Sequence, residues 1–402
     1  MDKEQTQPLA YRWVILGVAW LTLLFVGWQI FLIPALASWL IPDLNLTMGQ
    51  FTMLFTVPTL VAAVTSIPGG ALGDRFGIRL IVGIAAVLAG VLGLARAFLP
   101  NYPGMLTMMV LFGISFGFVI PNLPKMVGIW FPPRQVGLAS GIYMTGLGMG
   151  TALGLLTGPM FGGWKPAFTY MGILMLAVSF LWIFLARSAP KGVKIEMPPL
   201  IDGIKKGVKS KNIWLVSLAN FLLLGGFIAL SGNIPHALES VHDISPQSAG
   251  AIASLVTWGF VVGNFFIPIA SDRVGLRKPF LYGSALIAGV VFYLAWMLAP
   301  GAATTVLLFI GGLFLGGVVS LLMTLPVEFP EIGHQYIGGA AGVAAAWMNL
   351  GGFILPILVI TPLVATGTQG DYNNAFLAAG IIVAAIAVPA LFLQETGSKA
   401  RK

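Results

Sequence analysis

Cysteine is absent from the 402 residues, so no disulfide or thiol chemistry is open to the chain and its redox compartment leaves no trace. Charge is nearly as scarce. Asp, Glu, Lys and Arg make up 8% of the residues against 58% hydrophobic ones. A water-soluble domain carries about three times that charged fraction to solvate its surface, which excludes one here. The three histidines, His236, His242 and His334, are spaced like no metal motif. No phosphate-binding loop and no nucleophile–base constellation can be found, so neither ATP hydrolysis nor enzyme catalysis is expected, and no cofactor or metal. The first apolar run is too long for a signal-peptide core and no small-x-small cleavage site follows it, so it reads as an uncleaved first helix. A formal charge of +8 raises the question of nucleic acid. The basic residues lie in the turns between apolar runs, where membrane topology accounts for them, and no nucleic-acid partner is expected.

What the chain does contain is apolar runs of 18 residues or more, each long enough to cross roughly 30 Å of hydrocarbon as a helix. A transmembrane barrel would show short alternating strands instead. Twelve spans are predicted, at about 13–38, 51–72, 79–99, 104–124, 137–158, 166–187, 213–235, 249–270, 279–299, 303–325, 338–360 and 374–394, with ends uncertain by a few residues. The one long connector, 188–212, is rich in Lys and Pro and reads as a lateral or partly disordered cytoplasmic linker. With the N-terminus inside, all of the 21 Lys and Arg except Arg96 and Lys165 fall on the cytoplasmic side. Basic residues are retained there during insertion, so both termini are expected inside a cytoplasmic (inner) membrane, with lipid as a constant partner.

The halves repeat. Trp13 stands to Pro34 as Trp214 to Pro235, and Asp43, Asp74, Pro100, Pro124 and Gly141 find counterparts in Asp243, Asp272, Pro300, Pro326 and Gly342. The constant offset of roughly 200 positions indicates two six-helix units related by duplication, with a binding site expected at their interface. A small polar island, Gly70, Asp74, Arg75, Gly77 and Arg79, joins the second and third spans, and Asp272, Arg273, Gly275 and Arg277 repeat it two hundred residues on. Glycines let helix ends approach closely, and a carboxylate there can accept bonds from a helix N-terminus and a neighbouring Arg. Such clusters are expected to latch the inner ends of the halves together in one state and release them in the other.

With twelve spans, a basic midpoint and this doubled turn, the chain resembles the major facilitator superfamily over essentially its whole length. The resemblance implies an all-α integral membrane protein: twelve transmembrane helices in two pseudo-symmetric bundles, 1–187 and 213–402, about a linker at 188–212. Between the fourth and fifth spans, Trp130-Phe131-Pro132-Pro133-Arg134 followed by Gly137-Leu138-Ala139 and Gly141 is similar to bacterial nitrate/nitrite, oxalate/formate and cyanate-permease-like carriers. The buried arginines of nitrate carriers on helices 2 and 8, and the basic residues of oxalate-type carriers on helices 8 and 11, are absent. The fifth span ends in Gly154, Gly158-Pro159 and Gly162-Gly163, which resembles proton-coupled drug exporters.

All 13 carboxylates fall in termini, turns or helix ends, and no Lys or Arg lies in the middle third of a span. Arg96 and Lys125, near span ends, are expected to snorkel. Glu328 and Glu331 are expected to pair with basic residues of the cytoplasmic face. The residues that could line a site are neutral: Trp28, Gln29, Ser115, Tyr143, Asn220, Trp258, Asn264, Trp347 and Asn349, with Gln29 and Asn349 deepest. A mid-membrane amide is costly against lipid, which favours a position facing a cavity or a neighbouring helix. The expectation is a monomeric secondary transporter of a small organic solute, working by rocker-switch alternating access. A small, monocarboxylate-like anion is favoured by the helix 4–5 resemblance. Export of neutral or lipophilic compounds is favoured by the uncharged, aromatic centre, and a non-transporting sensor or scaffold is a third alternative.

Overall fold

A computed structural model describes residues 11–190, 200–333, 336–365 and 367–399. Among them are twelve helical stretches long and apolar enough to cross a membrane. Hydrocarbon offers no partner for a bare backbone N–H, so each span closes its own hydrogen bonds as a helix. The first half comprises α1 (Tyr11–Ala35), its short continuation α2 (Ala37–Asp43), α3 (Met48–Phe76), α4 (Ile78–Ala95), α5 (Tyr102–Val119), α6 (Asn122–Trp130), α7 (Pro133–Thr157) and α8 (Trp164–Leu185). After α9 (Leu200–Lys209) come α10 (Lys211–His242), α11 (Pro246–Val274), α12 (Lys278–Met297), α13 (Ala302–Glu328), α14 (Ile337–Leu355), α15 (Thr361–Leu363), α16 (Gln369–Ala384) and α17 (Ala387–Phe392).

Side-chain caps set several starts. Thr47 and Gln50 form a reciprocal capping box at α3, and Asn101, Ser210, Ser245 and Thr368 accept from the first turns of α5, α10, α11 and α16. Some spans outrun their predicted ends: α3 reaches Phe76, α10 His242 and α11 Val274. Proline did not stop them, because Pro34, Pro58, Pro68, Pro235, Pro268 and Pro326 all sit inside helices. Neighbouring helices re-satisfy what a proline frees inside a membrane bundle.

The same three pairings recur in each half. First packs on fifth (α1 on α7, α10 on α14), second on fourth (α3 on α5, α11 on α13) and third on sixth (α4 on α8, α12 on α16). Glycine makes two of these contacts close. A Cβ on Gly150 would stand 2.0 Å from the Leu24 carbonyl oxygen, and one on Gly263 would stand 1.8 Å from that of Leu313. Gly146, Gly150, Gly154 and Gly158 of the fifth span lie against α1, whereas Gly148 faces Val261 of α11.

Part of the connector read as a linker is a helix. In α9, Gly203 and Gly207 lie against Tyr336, Gly339 and Ala340 at the start of α14, too close for side chains, and this backbone contact orders the segment. The remainder, 191–199, lies outside the described residues, as does His334. The first and last described residues lie on the face that carries the doubled polar turns, hereafter the basic face: Tyr11 donates to the Leu185 carbonyl at the end of α8, and the Lys399 N–H to that of Gly275.

Candidate functional site

The halves meet chiefly through α7 with α11, α3 with α14 and α1 with α10, with smaller contacts of α10 with α2 and α3 and of α15 with α3. Far from the basic face the seam is sealed. Helix α1 is buried on every side from Gln29 to Ala35, and α10 from Gly225 to Pro235. At that depth Phe31 meets Phe227 of the other half with ring centroids 5.9 Å apart, and Phe227 packs on Phe260 at 5.0 Å. Phe55 lies against Gly232, Phe51 stands 6.4 Å from His236, and Ser38 faces Glu239. Towards the basic face burial lapses. Val64 and Ile67 on α3, Leu138 on α7 and Phe265 and Phe266 on α11 are exposed. A Cβ at Gly141 would touch only Phe265, at 4.0 Å. The contact between halves is thus tightest at the far face and loosest at the basic one.

The nine sequence candidates fall into three groups. Ser115, Asn220 and Asn349 are buried. The Ser115 hydroxyl and the Asn220 carboxamide oxygen have no hydrogen-bond partner, whereas Asn349 donates to the Ala345 carbonyl of its own helix at 3.0 Å. Trp28, Trp258, Asn264 and Trp347 are half-buried and Tyr143 is buried. Trp28 donates to Thr157 at 3.0 Å, Asn264 accepts from Ser320 at 2.8 Å, and Trp347 packs edge-on against Trp214 at 5.5 Å. These contacts stay within one half. Gln29 stands apart, because it turns into the first bundle, where its side-chain oxygen accepts from Arg96.

Arg96 does not snorkel. It is fully buried, its guanidinium 5.2 Å from the Phe112 ring centroid and 5.0 Å from that of Phe168. Position near a helix end suggested access to water, but α1, α5 and α8 close over that face of α4. Sequence reasoning also passed over the Phe31–Phe227–Phe260 cluster of tilted rings, since a phenylalanine in a membrane helix gives no signal of which helix it meets.

At the polar turn, Asp74 accepts from Lys125 on α6 at 2.5 Å, and the same ammonium donates to the Gly70 carbonyl at 3.0 Å. Lys125 thus ends on a carboxylate at the span end, about a third of its side chain still exposed (32%). Gly77 turns the chain at φ +93°, and Gly275 does so at φ +78°, conformations that L side chains resist. Arg79 donates to the Ile183 carbonyl at 2.5 Å and ties α4 to the end of α8. In the second copy Arg277 holds Asp272 at 2.6 Å and Glu328 at 2.9 Å. Burial works against the Arg277 charge, but the hydrogen bond and charge of Glu328, then Asp272, outweigh it and raise its pKa above the ordinary value. Burial likewise opposes ionisation of Glu395, yet backbone N–H groups of Arg277, Gly397, Lys278 and Thr396 hold its carboxyl below the usual range. Among the described residues Glu331 forms no salt bridge; it accepts from the uncharged side chains of Ser210 at 3.1 Å and Asn212 at 2.9 Å. Arg75 and Arg273 are exposed, Arg75 lying over the Phe76 ring.

Comparison with known proteins bears on all of this. The profile of the Major Facilitator Superfamily matches residues 19–356 and 216–402. The chain is 27% identical to the "Probable nitrate/nitrite transporter NarK2" of Mycobacterium tuberculosis over 91% of each sequence. It is 26% identical to the "Hexuronate transporter" of Bacillus subtilis over 84% of each. Among solved structures, a bacterial homologue of the human lysosomal transporter Spinster, inward-facing and unoccupied, superposes with a TM-score of 0.74 at 16% identity over 95% of both chains.

Proposed function

Because the chain belongs to the Major Facilitator Superfamily, a family of membrane transporters and not of enzymes, we propose that it carries a small anion across the cytoplasmic membrane by rocking its two halves about the seam. The asymmetry of that seam carries the reading. A contact sealed at the far face and loose at the basic face is one half of an alternating-access cycle, the other half being its mirror image. The charge bias of the turns makes the basic face the cytoplasmic one. Relatives named for nitrate, nitrite and hexuronate, all anions, support the class of cargo. Ser115 and Asn220, buried with unspent hydrogen-bonding capacity, are the side chains we expect to meet it, with Tyr143, Trp258 and Asn349 as further candidates.

The test is uptake and counterflow in proteoliposomes over nitrate, nitrite, acetate and glucuronate, together with a lipophilic dye. Saturable exchange of one or more of the anions is expected. The aromatic cluster at Phe31, Phe227 and Phe260 favours a second reading, export of lipophilic compounds, which dye extrusion without anion exchange would establish in its place.

The doubled turns serve this cycle as gates. In the state seen here each cluster closes within its own half, while Arg75 and Arg273 are left to reach across when the basic face seals. Asp74→Asn unties Lys125 and loosens the ends of α3 and α6. Initial-rate uptake is expected to show turnover falling severalfold with KM within about twofold, since the change affects the conformational step and not the cargo's contacts. Unchanged turnover would remove the gating role.

A further inference from the structure

We propose that Arg96 sets the preference for negative charge in the cargo, acting through α1 by its field and without touching the solute. The inference rests on the reading of this chain as an anion carrier. Arg96 donates to the Gln29 side-chain oxygen, more weakly to the Gln29 backbone oxygen at 3.5 Å and to the Met109 sulfur at 3.3 Å. Its remaining surroundings are the faces of Phe112 and Phe168. Among the described residues no carboxylate lies within ion-pairing distance of it. The N–Hε group has no partner at all. Arginine keeps its proton in protein interiors, so the first half carries a permanent, uncompensated positive charge inside its core.

Where that charge sits follows from α1. At 100° per residue, Gln29 and Phe31 point to nearly opposite sides of the helix. Phe31 faces the other half, and Gln29 faces Arg96. The guanidinium therefore stands behind the seam by about one helix diameter, roughly 10 Å. Packed protein, not water, fills that gap, so screening is weak. A unit charge at that range, in an effective dielectric near 20, changes the affinity for a monovalent anion by about tenfold. The neutral path cancels none of it. The chain thus supplies, one layer back, the positive potential that its candidate lining residues lack.

The natural objection is that Arg96 merely braces α1. Two variants separate brace from field. Arg96→Gln removes the charge. Met109→Glu keeps Arg96 and its brace, but places a carboxylate beside the guanidinium and cancels the charge. Both are expected to raise the KM for the carried anion about tenfold with Vmax near that of the unaltered protein, and Arg96→Lys to keep KM within about threefold. The probes are radiolabelled nitrate, nitrite, acetate and glucuronate in proteoliposomes clamped at zero membrane potential. A normal KM in Met109→Glu overturns the proposal even if Arg96→Gln does not fold. So does a fall in Vmax alone, or an equal loss in the Gln and Lys variants. If the unaltered protein exchanges none of the four anions, the anion-carrier reading itself fails, a result distinct from exchange that ignores the charge at Arg96.

Discussion

Gly150→Val and Gly263→Val are expected to yield no folded protein, while Gly17→Ala and Gly283→Ala should purify normally. The difference lies in what a side chain would meet. At Gly150 and Gly263 the new Cβ falls 2.0 and 1.8 Å from the backbone oxygens of Leu24 and Leu313, atoms that cannot swing aside. The helices must separate, and with them goes the packing that holds first to fifth and second to fourth. Water gives these helices no reason to associate inside a bilayer, because lipid tails are as apolar as leucine, so close packing is the larger part of what joins them. Overpacking of an ordinary core costs about 1–3 kcal/mol, and a clash with backbone along a whole helix pair exceeds it. Gly17 and Gly283 have nothing within 4 Å of a Cβ, and alanine there only gains helix propensity. Size-exclusion profiles and thermal ramps in detergent check all four. A monodisperse Gly150→Val protein of unaltered stability would mean that α1 and α7 do not pack this closely.

Those glycines also show how much the sequence discloses. The spans themselves were legible, since hydrocarbon thickness fixes the length of an apolar run and nothing else competes to explain it. The doubled polar turn was legible as well, because Gly77 and Gly275 need the backbone freedom that their identity advertises. The partners were not. Asp74 finds Lys125 on another helix, and the residue number of Lys125 reports only that it lies near a membrane face. Arg96 is the sharper case. Its place in the chain predicts snorkelling, and only the helices that close over α4 turn it inward. Gln29 was singled out for depth, but depth does not say which side of α1 it occupies. Periodicity in a span that is apolar all round carries no direction, and so the lining of a path is the last thing a membrane sequence gives up.

Gly49→Cys combined with Thr361→Cys is expected to stop transport on oxidation and to restore it on reduction. The pair joins α3 of the first half to α15 of the second at the far face, where a Cβ on Gly49 would lie 3.5 Å from the Thr361 methyl carbon. The Thr361 Cβ lies one bond from that methyl carbon, so the two Cβ atoms fall at about 5 Å or less, and a small adjustment brings them to the roughly 3.5–4.5 Å that a disulfide requires. The chain has no cysteine of its own, so the introduced pair has no competitor and each single variant is a clean control. A disulfide tolerates about 7 Å between Cα atoms at most. Opening a path for even a small anion between α3 and α15 needs more than that, so the bonded protein is held with its far face shut. Flux should drop to below about a tenth of the reduced rate, because a carrier that cannot complete its conformational cycle cannot turn over. Binding from the basic face should survive, since that side of the seam is already loose; equilibrium binding of the carried anion to the oxidised protein separates the two effects. Formation of the bond is verified by cleaving the chain between the halves and finding them still joined. Undiminished flux through protein shown to be bonded would place the path somewhere other than between the lobes.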